Sequence, residues 1–368
     1  MAPRGVRFWN PSLQFEAIED ELVPEILATL RQGDLVMREQ MYDFERRFAA
    51  LIGREDCIGV SNCTDGLRLT LEALGVGPGD EVITVAHTFV ATVAAVHHVG
   101  ATPVLVDVAD DHLMDADAFE LAITERSRAV IPVHLNGRTC DMTRIMEIAD
   151  EHRLLVIEDA AQAVGAKVDG RGAGTFGIAA AYSFYPAKIL GALGDAGAVI
   201  TDDEALAHKL RLLRDHGRAS KTDLDGWGWN CRLDNLQAAI LGVKLSHIPA
   251  WIERRREIAA QYSTGLATVK AVRTPPGTTT GGRWYDVFQN YVIESDRRDA
   301  LQAHLDAHGI ETLISSPIPV HHHRSLGLVG FSLPRTEQLS RQVLSLPLYP
   351  ELEDIEVARV IEAIRAFA

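Results

Sequence analysis

The chain has 368 residues, 47% of them hydrophobic, and a formal net charge of −15. That length allows one large domain and a smaller one. The acidic balance argues against a nucleic acid held through its phosphates, and no apolar run is long enough to span a bilayer.

The start, Met1 to Phe8, lacks the apolar core of a signal peptide. The cysteines Cys57, Cys63, Cys140 and Cys231 show neither Cys-x-x-Cys spacing nor a disulfide framework. A reducing cytoplasm is therefore the expected setting. Asp20–Leu30 has a helical pattern, and Glu39–Leu51 a stronger one, with Met41, Phe44, Phe48 and Leu51 on one face. A short apolar segment from Ile58 then runs through Ser61-Asn-Cys-Thr-Asp-Gly66 into a helix that Gly75–Asp80 stops.

After it, β and α patterns alternate. Strands are expected at Glu81–Ala86, Thr102–Val108, Arg128–His134 and Arg153–Glu158, with helices at Phe89–Val99, Asp117–Ile123 and Met142–His152. Short β-branched runs without alternation suit strands buried on both faces of a mostly parallel sheet. A strand ending at Phe184 and another over Ala196–Thr201 enclose a Gly-rich loop. Helices follow at Glu204–His216, Asp234–Leu245 and Trp251–Ala267. The Pro-, Thr- and Gly-rich stretch Val272–Arg283 reads as a loop and a domain marker. A smaller α/β unit should follow, with strands at Val287–Glu294 and Ile310–Ile314 and helices at Arg297–His308, Thr336–Leu344 and Ile355–Ala366. The expected division is residues 1–250 and 251–368.

Lys188 lies in the Gly-rich loop between Pro186, Ala187, Ile189 and Leu190, an apolar setting that none of the other five lysines shares. A desolvated lysine is a nucleophilic amine able to form a Schiff base. Glu158 and Asp159 end a buried strand, where open α/β sheets bind ligands. A carboxylate there can hold a protonated ring nitrogen, and alternation leaves open which of the two does so. Thr64 and Asp65 fall in the first turn of a helix whose free amides attract phosphate; Ser, Asn, Thr and Asp are also ordinary capping residues. Ser183 could donate to the same phosphate, and Phe89 could stack on a flat ring. His134 and His216 sit singly at element ends. The tract His321-His-His323 argues against a metal, because three consecutive histidines cannot all point one way on a regular element and no acidic cluster accompanies them.

In order along nearly the whole chain, Ser61–Asp80, Glu81–Val108, Ile131–Gly137, Val156–Gly165, Tyr182–Thr201, Arg214–Gly217, Trp229–Leu241 and Leu344–Leu352 resemble the DegT/StrS group of PLP-dependent sugar aminotransferases. That resemblance implies a three-layer PLP-transferase fold, with a mostly parallel sheet in the large domain and a smaller C-terminal α/β domain. It implies that Lys188 holds pyridoxal phosphate as a Schiff base and that Asp159 pairs with the ring nitrogen. Gln162 would lie near the ring hydroxyl and Phe89 would stack on the ring. Cys63, Thr64, Asp65 and Ser183 would line the cofactor and its phosphate, and Asn230 and Arg232 would reach the cofactor of a second subunit in a homodimer. His216 and His321 are the substrate-side candidates. The implied reaction moves an amino group from L-glutamate to a C-3 or C-4 keto group of a nucleotide-linked deoxy sugar, with 2-oxoglutarate as the other product. Lysine at 188, where dehydratases of the group carry histidine, favours transamination over dehydration, and the retained set disfavours a non-catalytic homologue. Two departures stand out: Cys63 replaces a frequent glycine, and Ser315-Ser-Pro317 replaces a frequent His-Tyr-Pro.

Overall fold

A computed structural model describes residues 5–277 and 282–368. The chain opens with α1 (Pro11–Gln32) and α2 (Glu39–Ile52). Strands β1 (Asp56–Val60), β2 (Glu81–Val85), β3 (Thr102–Val106), β4 (Ser127–Ile131) and β5 (Leu155–Asp159) then alternate with helices α3 (Cys63–Ala73), α4 (Val90–His98), α5 (Ala116–Leu121) and α6 (Met142–His152). A short pair, β6 (Lys167–Val168) and β7 (Arg171–Gly172), precedes β8 (Ala179–Ser183) and β9 (Gly197–Thr201). Seven strands form the main sheet in the order β1-β9-β8-β5-β4-β2-β3. Only β9 runs antiparallel to its neighbours.

Two registers place the site. Asp159 is opposite Ala181, two residues before the end of β8. Gly197 is opposite both Val60 and Ser183. The carboxyl ends of β5 and β8 and the β1–α3 turn therefore meet at one edge of the sheet, outside the strand ends where such sheets hold ligands.

The sheet is buried on both faces, as the unbroken apolar runs require. On one face, α2 presses Phe44 and Phe48 edge-on against Phe184, with ring centroids 5.3 Å and 5.1 Å apart. That contact anchors the start of the Lys188 loop. The helical stripe runs 44, 48, 52, so Ile52 packs on the core and Leu51, expected on that face, is 41% exposed.

Helices α7 (Glu204–Arg214), α8 (Asn235–Lys244) and α9 (Ile248–Leu266) lead to a second unit. There β11 (Tyr291–Glu294) pairs antiparallel with β12 (Val343–Leu346), flanked by α10 (Arg298–Ala307), α11 (Pro334–Gln342) and α12 (Asp354–Phe367). A further strand, β10 (Trp284–Tyr285), joins β6 and β7. Val6 packs with this C-terminal core and bridges to Ile310.

Four expectations change. The strand expected from Val287 begins only at Tyr291. α1 begins nine residues earlier than Asp20, because Pro11 suits a first helical turn and Ile18 and Leu22 continue the buried stripe. Ile310–Ile314 forms no strand, only single bridges at Ile310 and Leu313. The helix expected to reach Leu344 ends at Gln342, since Val343 and Leu344 are recruited by β11. The loop expected over Val272–Arg283 falls partly outside the described residues, at 278–281.

Candidate active site

Lys188 is half-buried in the turn after β8. Its amide donates to Tyr185 O at 2.8 Å, and Ala192 N closes the loop onto Phe184 O at 2.8 Å. The turn needs Gly191, where a Cβ would lie 2.3 Å from Pro186 O. Burial lowers the pKa of the Lys188 amine, while Asp159 and then Cys63 push it back up. Those interactions bring Lys188, Asp159 and Cys63 into one group.

The two strand-end acids have separate jobs, and neither is solvated. Glu158 is fully buried. It accepts the amides of Gly174, Phe176 and Gly177 at 2.7–2.8 Å and pairs with His134 Nε2 at 2.8 Å. His134 Nδ1 in turn accepts Cys140 N–H at 3.1 Å. Glu158 and His134 are thus framework groups. Asp159 is the acid that faces the lysine. Burial raises its pKa; the Thr92 hydroxyl at 2.7 Å, the Ala161 amide at 3.1 Å and Lys188 counter that rise. Thr92 is itself within 2.8 Å of Thr88 Oγ1.

The start of α3 forms a cradle. Asn62 is its N-cap and accepts Asp65 N–H at 2.8 Å. The amides of Cys63 and Thr64 have no intrahelical acceptor by the geometry of a helix start. The Asp65 carboxylate is held by Ser61 Oγ at 2.5 Å, Asn62 Nδ2 at 2.9 Å and Arg68 at 3.1 Å, so it organises its own loop. The Cys63 side chain turns inward, with Sγ 4.0 Å from Asp159 Oδ1. Burial, and next Asp159, raise its pKa well above the ordinary value, so it stays a thiol and a weak donor. Gly197 leaves room for this turn: a Cβ there would lie 2.5 Å from Asn62 C and 2.7 Å from Cys63 N. Ser183, opposite Gly197, accepts Tyr185 N–H at 3.3 Å.

The other expected residues lie at different removes. Phe89 caps α4, is 70% exposed, and its carbonyl accepts Thr92 N–H at 3.2 Å, one step from Asp159. Gln162 Oε1 accepts Asn136 N–H at 2.7 Å. Arg232 bridges to Val60 beside the cradle, with Nη1 3.4 Å from Asp215 Oδ1; Asn230 is exposed and bridges to Asp215. His216 is exposed in a left-handed turn and donates its amide to Trp229 O at 2.8 Å. His321 is buried, with Nε2 3.4 Å from Glu337 Oε1, in a short turn that also brings His322 to 3.8 Å from the same oxygen.

Three contributors were missed from sequence. Asn62 was legible as one of a run of capping residues. Thr92 lies one helical turn after Thr88, a spacing also common in plain helices. Gln289 carried no local signal, yet its side chain grips the Lys188 loop.

Several properties fit a phosphorylated aromatic aldehyde such as pyridoxal phosphate. The Lys188 amine has a lowered pKa and owes that shift to no hydrogen bond. A buried carboxylate stands by for a cationic ring nitrogen, and a helix start beside Gly197 offers free amides.

The sequence profile of the DegT/DnrJ/EryC1/StrS aminotransferase family matches residues 16–365. A relative from Streptomyces venezuelae, named dTDP-3-amino-3,4,6-trideoxy-alpha-D-glucose transaminase, is 43% identical over 99% of this chain and 96% of its own. A relative from Geobacillus stearothermophilus, named pleiotropic regulatory protein, is 42% identical over 97% and 96%. Among solved structures, S. venezuelae DesV in complex with a ketimine intermediate superposes with a TM-score of 0.95 and 42% identity, covering 99% of this chain and 98% of that one.

Proposed function

The chain belongs to the DegT/DnrJ/EryC1/StrS aminotransferase family, and from that premise we propose that it is a pyridoxal phosphate-dependent transaminase of a nucleotide-linked keto sugar. The observation that carries this reading is the Lys188 amine, its pKa lowered by burial, grouped with the buried carboxylate of Asp159. The transaminase relative is named for an amino group at C-3, and we extend that position to this chain: the acceptor carbonyl is at C-3 and the donor is L-glutamate.

Bound at this site, pyridoxal phosphate supplies an aldehyde carbon that amines capture and a ring that draws electrons from the carbon next to the captured amine. Lys188 would hold the aldehyde carbon through Nζ. With its amine free, Lys188 Nζ would take the proton from the donor α-carbon and, in the sugar half-reaction, deliver one to the sugar carbon that receives the amine. Asp159 would keep the ring nitrogen protonated. Thr92, Cys63 and the Ala161 amide keep that carboxylate oriented. The amides of Cys63 and Thr64, with Ser183, would bind the phosphate; Phe89 would cover a ring face; Gln162 would serve the ring hydroxyl. His216 and His321 stand on the substrate side.

We place the enzyme in the cytoplasm as a homodimer with shared sites. All four cysteines are buried and unpaired, which suits a reducing compartment, and among the described residues no helix is long and apolar enough to cross a membrane. Tyr185 and Leu193 of the Lys188 loop are exposed, as are Phe89 and Trp229, the last at 48%. Apolar surface gathered around a site suits cover by a second subunit, whose Asn230 and Arg232 would then reach the cofactor.

The test is direct. Purified protein with pyridoxal phosphate should show a visible absorption band that borohydride removes and that Lys188→Ala lacks. With L-glutamate and a panel of nucleotide-linked 3-keto and 4-keto sugars, the amine should appear by mass from a 3-keto member. A colourless protein that never takes up the cofactor overturns the reading in favour of a regulatory homologue. Loss of water from the sugar, with no amine formed, overturns it in favour of a dehydratase.

A further inference from the structure

Gln289 lies 100 residues from the loop it touches. Its buried side chain accepts Ile189 N–H through Oε1 at 3.0 Å and donates through Nε2 to Ala187 O at 2.8 Å. These are the main-chain groups on either side of Lys188. One amide therefore pairs with both flanks of the lysine, much as a neighbouring strand would, in a stretch that no strand among the described residues pairs with.

The segment that presents Gln289 is itself held. Arg255 of α9 is buried and directs Nη1 at Phe288 O, Gln289 O and Leu348 O, 3.1–3.3 Å away. Phe288 adopts φ 51°, a left-handed conformation that a side chain of its size rarely takes. Gly137 makes the approach feasible: a Cβ there would lie 2.6 Å from Gln289 N. Next in the chain, Asn290 Nδ2 is 3.3 Å from Asn136 Oδ1, and Asn136 N–H is the donor to Gln162. The stretch 287–290 thus touches the Lys188 loop through one side chain and the Gln162 side of the site through the next. It also runs directly into β11 of the C-terminal unit.

We infer that Gln289 is a positioning residue for Lys188: by clamping Ala187 and Ile189 it sets where the lysine amine stands relative to Asp159, and it ties that position to the C-terminal unit. The inference rests on the reading of Lys188 as the amine that holds the cofactor. A loose clamp leaves the fold intact but lets the amine wander, and misplacement by about 1 Å costs about a hundredfold in rate.

Gln289→Met keeps the length but neither donates nor accepts. Gln289→Glu keeps an acceptor for Ile189 N–H but cannot donate to Ala187 O. Two readouts on the cofactor-free chain need neither cofactor nor substrate. The first is hydrogen exchange of the Ile189 amide, expected about tenfold faster in Gln289→Met. The second is the pH midpoint for labelling Lys188 with an amine-directed reagent, read by peptide mass. It should move up toward that of an ordinary lysine in Gln289→Met. In the loaded enzyme, kcat should fall about tenfold to a hundredfold while KM for the donor stays within about threefold. Unchanged exchange at Ile189 overturns the clamp. Faster exchange with an unmoved Lys188 midpoint and an unmoved kcat overturns its positioning role and leaves a structural one. If Gln289→Met does not fold, Gln289→Glu, which loses only the bond to Ala187 O, carries the kcat readout, with a fall still expected and an unmoved kcat overturning the inference. Failure of wild-type protein to take up pyridoxal phosphate would count against the functional reading alone.

Discussion

The Thr92 hydroxyl stands 2.7 Å from Asp159 Oδ2 and supplies a side-chain hydrogen bond to that buried carboxylate. Thr92 belongs to α4 and Asp159 to β5, so the bond exists only because α4 starts beside the strand ends. Removing it with Thr92→Val should cost about 1.5–3 kcal/mol in binding a cationic ring nitrogen, the usual worth of a hydrogen bond to a charged group. Equilibrium dialysis should therefore show pyridoxal phosphate bound about ten- to a hundredfold more weakly. Burial already raises the Asp159 pKa and Thr92 lowers it. The variant's carboxyl will protonate at a higher pH than the wild type's, so its deficit should widen as pH falls. A deficit that is flat with pH would refute this role.

Glu158 offers a stability test away from the chemistry. Burial pushes its pKa up, but the His134 pair and the amides of Gly177 and Gly174 hold it below the ordinary value of 4.5. A carboxylate depressed in the folded state stabilises fully above its unfolded pKa, and that stability is lost as pH falls through the folded pKa. Urea unfolding of the cofactor-free protein should weaken below about pH 4.5 in the wild type. Glu158→Gln should be less stable at neutral pH and lose less on acidification. Glu158→Ala, which leaves three amides and His134 without their acceptor, should cost at least about 3 kcal/mol.

Gly197 sits between the cradle and Ser183. A Cβ there would lie 2.5 Å from Asn62 C and 2.7 Å from Cys63 N, both main-chain atoms that cannot swing aside. Gly197→Ala should cost about 1–3 kcal/mol in stability, the usual range for overpacking. It should weaken pyridoxal phosphate far more than pyridoxal, which lacks the phosphate. Equal weakening of the two in a binding titration would show that the cradle does not hold phosphate.

The shared-site reading predicts complementation. Lys188→Ala and Arg232→Ala should each be inactive alone. Refolded together, half the dimers pair unlike subunits and each hybrid has one intact site, so about a quarter of wild-type activity should return if pairing is random. No recovery in mixed dimers, with hybrids verified by mass, would place Arg232 in its own subunit's site.

Much of the arrangement was readable along the chain. The unbroken apolar runs implied a mostly parallel sheet because a strand covered on both faces has no polar side to show. The strand end at Asp159 and the helix start after Asn62 were visible because caps and periodicities are local properties. Alternation did not choose between Glu158 and Asp159, since adjacent residues on a strand face opposite ways and both faces here are buried; only the family resemblance pointed to Asp159. The backbone amides of Gly174, Phe176 and Gly177, contributed by a turn beyond β5, claim Glu158 and leave Asp159 to face the lysine.

Sequence alone singled out Lys188, by setting an amine among apolar neighbours after a strand, and it placed the acids, caps and strands within a few residues. Tertiary structure decided what makes that amine usable. Thr92 and Cys63 orient Asp159, Gly197 gives the cradle its room, and Gln289 holds both flanks of the lysine from 100 residues away. Periodicity and capping depend on neighbours a few bonds apart. A hydrogen bond across the fold depends on where whole elements pack, and no local pattern encodes that distance.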